Sequence, residues 1–159
     1  MEKERRTSRE IPFRRRPLSI GLLQEEQSPF DPSQLNKLFN QLGEGAVQLK
    51  ELTFTSDTSK VLKDKASLYS SKQLGWNGVF KTPYLKEFQQ QPFDLLISYY
   101  TEDTIALDAM TALSKAMFKV GIAPGKEELN DLTIVVQKGQ ESVFAKELIN
   151  YLKILKYIA

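Results

Sequence analysis

Short, nearly continuous apolar segments alternate along the chain with segments in which apolar residues recur every three or four positions. Continuous apolar runs of this length are typical of strands buried on both faces of a sheet, and the second pattern is typical of amphipathic helices. The predicted strands are residues 18–23, 46–55, 67–70, 93–100, 118–122 and 132–136. Because strands and helices alternate, we predict a three-layer α/β sandwich of Rossmann-like or flavodoxin-like type with a mostly parallel sheet.

Helix-start signals lie between the predicted strands. Asp31 can cap a helix that begins at Pro32, because aspartate accepts from first-turn amides and proline fits the first helical position. A short helix is predicted over residues 84–91. Thr101 is predicted to cap another helix, and the last helix should begin near Gln140.

The length of 159 residues and an apolar content of 41% fit one compact domain. We assign residues 18–159 to a single α/β domain and residues 1–17 to a basic, partly disordered arm. The apolar run at 18–23 is shorter than the roughly 7–15 residues of a secretory signal core. No window reaches the roughly 20 apolar residues of a membrane span, so the expected location is the cytoplasm.

The arm carries the chain's unusual charge. Residues 1–17 hold seven basic and three acidic side chains, although the whole chain has a net charge of only +2. All the arginines lie in this segment: Arg5, Arg6, Arg9, Arg14, Arg15 and Arg16. Because arginine suits bidentate capture of phosphate and carboxylate, the arm is a candidate anion-contacting segment for RNA, an anionic membrane surface or an acidic protein. The alternative is a solvated tail that contacts nothing.

The composition excludes several chemistries. The chain contains neither cysteine nor histidine. Disulfides, thiolate metal sites and cysteine nucleophiles are therefore excluded, as are a Ser-His-Asp triad and imidazole metal ligands. No metal and no cofactor is expected, and no catalytic residue is assigned.

A ligand in an open α/β sheet binds beyond the carboxyl ends of the strands. The first such loop, residues 24–29, has no glycine, so it lacks the feature that lets a backbone cradle phosphate. The candidate ligand-binding edge consists of Glu25, Asp57, Thr101 and Asp103. These groups could bind a small molecule or act as an acid and a base. The alternative is that they are helix-dipole partners and solvated loop charges.

Trp76 lies in a turn and is the chain's single tryptophan. It is a candidate aromatic contact, although the more common role of such a residue is to cover a core end or a sheet edge. Asp94 lies just inside the best predicted strand, after Phe93, where it is expected to tie down the start of that strand.

Residues 70–78, Phe88, residues 93–97 and residues 113–121 together resemble a family of short uncharacterised bacterial proteins that is known as a domain of unknown function. The resemblance extends over nearly the whole chain. It implies an α/β fold and a cytoplasmic location, and it carries no activity or catalytic residue to transfer.

A fainter similarity is to the N-terminal half of the heptosyltransferase-like glycosyltransferases. There too a strand like 93–97 leads through a helix to a strand like 118–121. The chain departs from that family at residues 24–26, which replace its glycine-containing loop, and a second domain that would close a sugar-nucleotide cleft is not expected. This similarity therefore implies a lost activity.

The function expected from the sequence is a non-catalytic cytoplasmic binding or interaction module, with the arm attracting an anionic partner. The alternative is a small-molecule-binding protein or a carboxylate-dependent enzyme at the carboxyl edge of the sheet. A third hypothesis is docking through an exposed sheet edge or through the aromatic turn at Trp76.

Overall fold

The computed structural model describes residues 3–5, 19–42, 47–61 and 67–155. The strands in these ranges are β1 (Lys3–Arg5), β2 (Ser19–Glu25), β3 (Gln48–Phe54), β4 (Leu68–Tyr69), β5 (Leu95–Tyr99), β6 (Phe118–Gly121) and β7 (Leu132–Ile134). The α-helices are α1 (Pro32–Gln41), α2 (Pro83–Gln90), α3 (Ile105–Leu113) and α4 (Glu141–Ile154).

The strands form one sheet in the order β1-β7-β6-β5-β2-β3-β4. Strands β2 to β7 run parallel to their neighbours, and β1 pairs antiparallel with β7. The chain builds outward from β2 through β3 to β4, then crosses back and continues from β5 on the other side of β2. This order of parallel strands is that of a doubly wound Rossmann-like sheet, so the predicted fold class is confirmed.

The sheet is covered on both faces, because successive side chains of its strands enter two different apolar cores. In β5, Leu95 and Ile97 belong to the core that α1 and α4 cover, whereas Leu96 belongs to the core that α2 and α3 cover. Residues on both faces are therefore apolar, and this explains why the central strands are continuous apolar runs in the sequence.

Local sequence signals set several element boundaries. The Asp31 carboxylate accepts a hydrogen bond from the Ser33 amide at 3.1 Å, and Pro32 is the first residue of α1, as predicted. The Asp94 carboxylate accepts from the Ser19 amide at 3.0 Å, and the Asp94 amide donates to the Ser19 carbonyl at 2.9 Å. The expected role of Asp94 is therefore confirmed, because these bonds join the starts of β2 and β5.

Helix α3 begins three residues later than the sequence indicates. Thr104, and not Thr101, occupies its N-cap position, and Ile105 is its first residue. The prediction of a Thr101 cap is wrong because the amide and hydroxyl of Thr101 both donate to Glu25, at 3.2 and 3.4 Å. This tertiary contact holds residues 101–104 as a loop across the carboxyl edge of the sheet.

Strand β1 lies at one margin of the sheet and comes from residues 1–17, the predicted arm. Lys3 pairs with Ile134 and Arg5 pairs with Leu132, so residues 3–5 of this segment form a strand. This pairing supplies partners for backbone groups along the outer edge of β7. The division of the chain into an arm and a domain stays a prediction. None of the described helices is long and apolar enough to cross a membrane.

Candidate functional site

The carboxyl ends of β2 and β5 lie side by side where the strand order reverses. Glu25 is the last residue of β2, and Thr101 follows β5. The Glu25 Oε1 atom accepts hydrogen bonds from the amide and the hydroxyl of Thr101. Ligands of doubly wound sheets bind near this position, and the Glu25 carboxylate lies at it.

Lys126 holds the other side of the 101–104 loop. Its Nζ atom lies 2.6 Å from the Asp108 carboxylate and 3.7 Å from that of Asp103, and it donates to the Glu102 carbonyl at 3.2 Å. The ammonium also lies 5.2 Å from the centre of the Tyr100 ring, within the range of a cation–π contact. The Lys126 side chain is only 13% exposed, so its ammonium group interacts mainly with protein groups and little with solvent.

A buried network of hydroxyl groups lies beneath this ion pair. The Tyr100 hydroxyl donates to Asp108 at 3.1 Å and lies 2.8 Å from the Thr111 hydroxyl, which in turn lies 3.1 Å from the Ser98 hydroxyl. Burial raises the pKa of Tyr100 well above its ordinary value. The phenol therefore stays protonated at neutral pH, and it acts as a hydrogen-bond donor that orients Asp108.

An open cleft of about 570 Å³ lies beyond the ends of β5 and β6; we call it the edge cleft. Its volume is within the roughly 300–1,000 Å³ of small-molecule sites. Carboxylates from three segments line it beside Lys126, and they are Asp103, Asp108, Glu127 and Glu128. Four carboxylates against one lysine give the described lining of the edge cleft an excess of negative charge.

A second, much smaller depression lies on the opposite side of the 101–104 loop; we call it the switch-point pocket. Its volume is about 10 Å³. The residues that line it are Glu25, Glu26, Gln27, Phe54, Ser56 and Glu102. Glu26 is paired with Lys60 at 3.0 Å, and this hydrogen bond raises the pKa of Lys60.

The structure separates the candidate edge residues into groups. Glu25 and Thr101 contact each other, and Thr101 also lines the edge cleft with Asp103. Asp57 lines neither depression: it is exposed and caps the short 3₁₀ helix Thr58–Lys60. Hydrogen bonds from the Ser59 hydroxyl and amide lower the pKa of Asp57. A role of these residues in ligand binding stays a prediction.

The more common role considered for Trp76, packing over a core end or a sheet edge, is wrong. Its side chain is 98% exposed, whereas the nearby Phe80 is fully buried. The Gly75 amide donates to the Val79 carbonyl at 2.8 Å, and Gly78 has a φ of 81°, which an L-residue adopts only with strain. The turn is therefore well defined, and it presents the indole to solvent.

The candidate arginines can be placed only in part. Arg5 belongs to β1, where the backbone alone is described. The other candidates, Arg6, Arg9, Arg14, Arg15 and Arg16, lie outside the described residues. An anionic partner for the arm therefore stays a prediction.

Sequence reasoning did not single out Lys126 and Asp108, whose ion pair lines the edge cleft. Lys126 follows a Pro-Gly turn at the carboxyl end of a strand, and that position was a signal that could have identified it. Asp108 could not be identified, because its partners Tyr100 and Lys126 lie in separate parts of the chain. Among the described residues, no group of three or more acidic side chains is placed to hold a metal ion.

These features define a doubly wound α/β protein. Acidic residues line a depression on each side of the 101–104 loop, which lies where the strand order reverses. The chain belongs to a family of unknown function, DUF6913, which matches residues 2–155. No curated protein matches the chain. No solved structure matches it either.

Proposed function

We propose that the protein is a binding module that takes a small cationic ligand into the edge cleft. The observation that carries this proposal is the pairing of Lys126 with Asp108 at 2.6 Å. Lys126 is the only basic side chain among the described residues that line the cleft. A ligand entering the cleft then meets carboxylates, and the Asp103 side chain is 99% exposed to it. The position beyond the carboxyl ends of the strands supports the proposal, because ligands of this fold class bind there.

The charge of the cleft determines which class of ligand it favours. Nucleotides and other polyphosphates would be repelled by the acidic lining, whereas a linear amine would be attracted to it.

The proposal includes the cytoplasmic location that the sequence predicts. Fractionation of cells that express the untagged chain would test this location.

Calorimetric titration of the full chain with spermidine, a linear triamine, is expected to show binding that weakens as salt is added. Asp103→Lys should weaken the binding about tenfold, because it replaces an attractive charge by a repulsive one. Glu51→Lys is the matched control: it makes the same charge change at an exposed position of β3 that lines neither depression. Equal losses in the two variants, or binding of ATP in place of spermidine, would contradict the proposal.

The exposure of Trp76 favours a second candidate function, which is docking of a protein. Tryptophan is enriched among the residues that dominate binding energy at interfaces. Lys72 and Lys81 are exposed on the same turn region, so the partner expected here has an apolar pocket with an acidic rim.

Trp76→Ala is expected to leave the free energy of unfolding within about 0.5 kcal/mol of the parent, because the indole contributes little to the core. Partner binding should be lost, and the fluorescence of the single tryptophan should shift to the blue when a partner binds to the parent chain. Leu113→Ala, at another exposed apolar position, is the control. Light scattering tests whether the partner is a second copy. A binding partner retained by Trp76→Ala would exclude this surface.

A further inference from the structure

Glu25 is a buried carboxylate with an incomplete set of hydrogen bonds. Its side chain lies at the end of β2, and the residue is only 8% exposed. Oε1 accepts from Thr101, but Oε2 is buried without a hydrogen-bond partner among the described residues. A buried carboxylate oxygen without a partner lowers the stability of the folded state, because burial removes its hydrogen bonds to water and no protein donor replaces them. Such an atom is therefore a candidate acceptor for a ligand.

Glu25 lines the switch-point pocket. A volume of about 10 Å³ accommodates one group of the size of a water molecule. Glu26 and Glu102 line the same pocket, and Lys60 pairs with Glu26. No ion pair involving Glu25 is found in the described part of the chain. The group that best suits this space is a small cation that donates hydrogen bonds.

An ammonium group fits the pocket better than a divalent metal ion does. It carries three donors, and it does not need a full shell of converging oxygen ligands. Among the described residues, no set of three acidic side chains has the arrangement that a metal ion needs. A single carboxylate oxygen and one nearby polar group are enough for an ammonium.

The switch-point pocket and the edge cleft are neighbours. Thr101 lines the edge cleft and donates to Glu25, which lines the pocket. Glu102 lines the pocket, and the next residue, Asp103, lines the cleft. One flexible ligand can therefore reach both depressions around the 101–104 loop.

We propose that the switch-point pocket binds a terminal ammonium group of the ligand, so that the ligand is a linear di- or polyamine. This inference rests on the proposed function, which places the rest of the ligand in the edge cleft. Glu25 Oε2 accepts from one ammonium, and the carboxylates of the cleft hold another. The protein then distinguishes a diamine from a monoamine by the charge at Glu25.

Calorimetric titration of the full chain with putrescine, a diamine, and with butylamine, a monoamine of the same chain length, tests this inference. The parent protein should prefer putrescine by about tenfold or more, because a charge-assisted hydrogen bond adds to its binding. Glu25→Gln keeps the shape and the Oε1 acceptor but removes the charge. It should abolish that preference, because putrescine is then held by the carboxylates of the cleft alone.

Glu102→Gln provides a second variant, because Glu102 is exposed and its substitution does not disturb the core. We expect a smaller decrease in the preference, about two- to threefold. An unchanged preference in both variants would mean that the pocket holds water only, and the inference would be wrong while the proposed function stands. If neither amine binds to the parent protein, the proposed function itself fails, and the inference fails with it.

Discussion

Raising the pH above about 10 is expected to unfold the protein steeply, because three buried tyrosines can ionise freely only in the unfolded chain. Tyr69, Tyr99 and Tyr100 are each at most 3% exposed. Burial raises the pKa of all three, and the charge of Glu141 raises that of Tyr99 further. The folded state therefore keeps phenolic protons that the unfolded state releases.

The sign and size of the effect follow from this difference. Below the ordinary tyrosine pKa of about 10 the stabilisation is fully present, and above that pH it is lost progressively. Each buried tyrosine contributes a loss of about 1.4 kcal/mol per pH unit, so the three together contribute about 4 kcal/mol per unit. A domain of ordinary stability, about 5–15 kcal/mol, should unfold within a few pH units.

Urea unfolding from about pH 8 to about pH 11.5, with phenolate absorbance followed in parallel, measures this loss. Tyr99→Phe is expected to reduce the slope of stability against pH by about a third. The substitution removes an ionisable group and, within the described ranges, one side-chain hydrogen bond, the 3.1 Å bond to Glu141. The prediction would be contradicted by an increase in phenolate absorbance from these tyrosines while the protein is still folded.

Replacing Phe144 by alanine is expected to lower the free energy of unfolding by about 3–5 kcal/mol. Phe144 is fully buried in the core beneath α4. Its ring centroid lies 5.5 Å from that of Tyr99 and 5.9 Å from that of Phe30, in edge-on contacts that join α4 to the sheet and to the loop before α1. Truncation removes these contacts and leaves a cavity.

Chemical unfolding of two control variants separates the cavity from other effects. Phe144→Leu keeps most of the apolar volume and should cost clearly less than Phe144→Ala. Val143→Ala, at the partly buried neighbouring position, should cost about 1 kcal/mol. If Phe144→Ala cost no more than Val143→Ala, the ring would not be part of the core.

The elements that depend on local chemistry could be predicted from the sequence. The start of α1 follows from Asp31 and Pro32, which act on the first turn that they precede. The central strands follow from continuous apolar runs, since burial on both faces requires apolar residues at successive positions. The order of the strands was not predicted, because it depends on which distant strands pair.

The parts that sequence reasoning missed depend on tertiary contacts. Thr101 resembles a helix cap, but Glu25, which is 76 positions away in the chain, takes its donors. The pairing of Lys126 with Asp108 joins residues 18 positions apart on different elements. The exposure of Trp76 was missed because composition does not show which apolar residue of a turn faces the core, and here Phe80 does.

The brevity of the two outermost strands restricts how another molecule can associate with the sheet. In the described part of the chain β1 has three residues and β4 has two, so the described length of each margin offers a very short row of main-chain donors and acceptors. A peptide adding itself as an extra strand would gain few ladder bonds there, and fibril-like stacking of copies would lack a template. Recognition at these margins must therefore come from side chains.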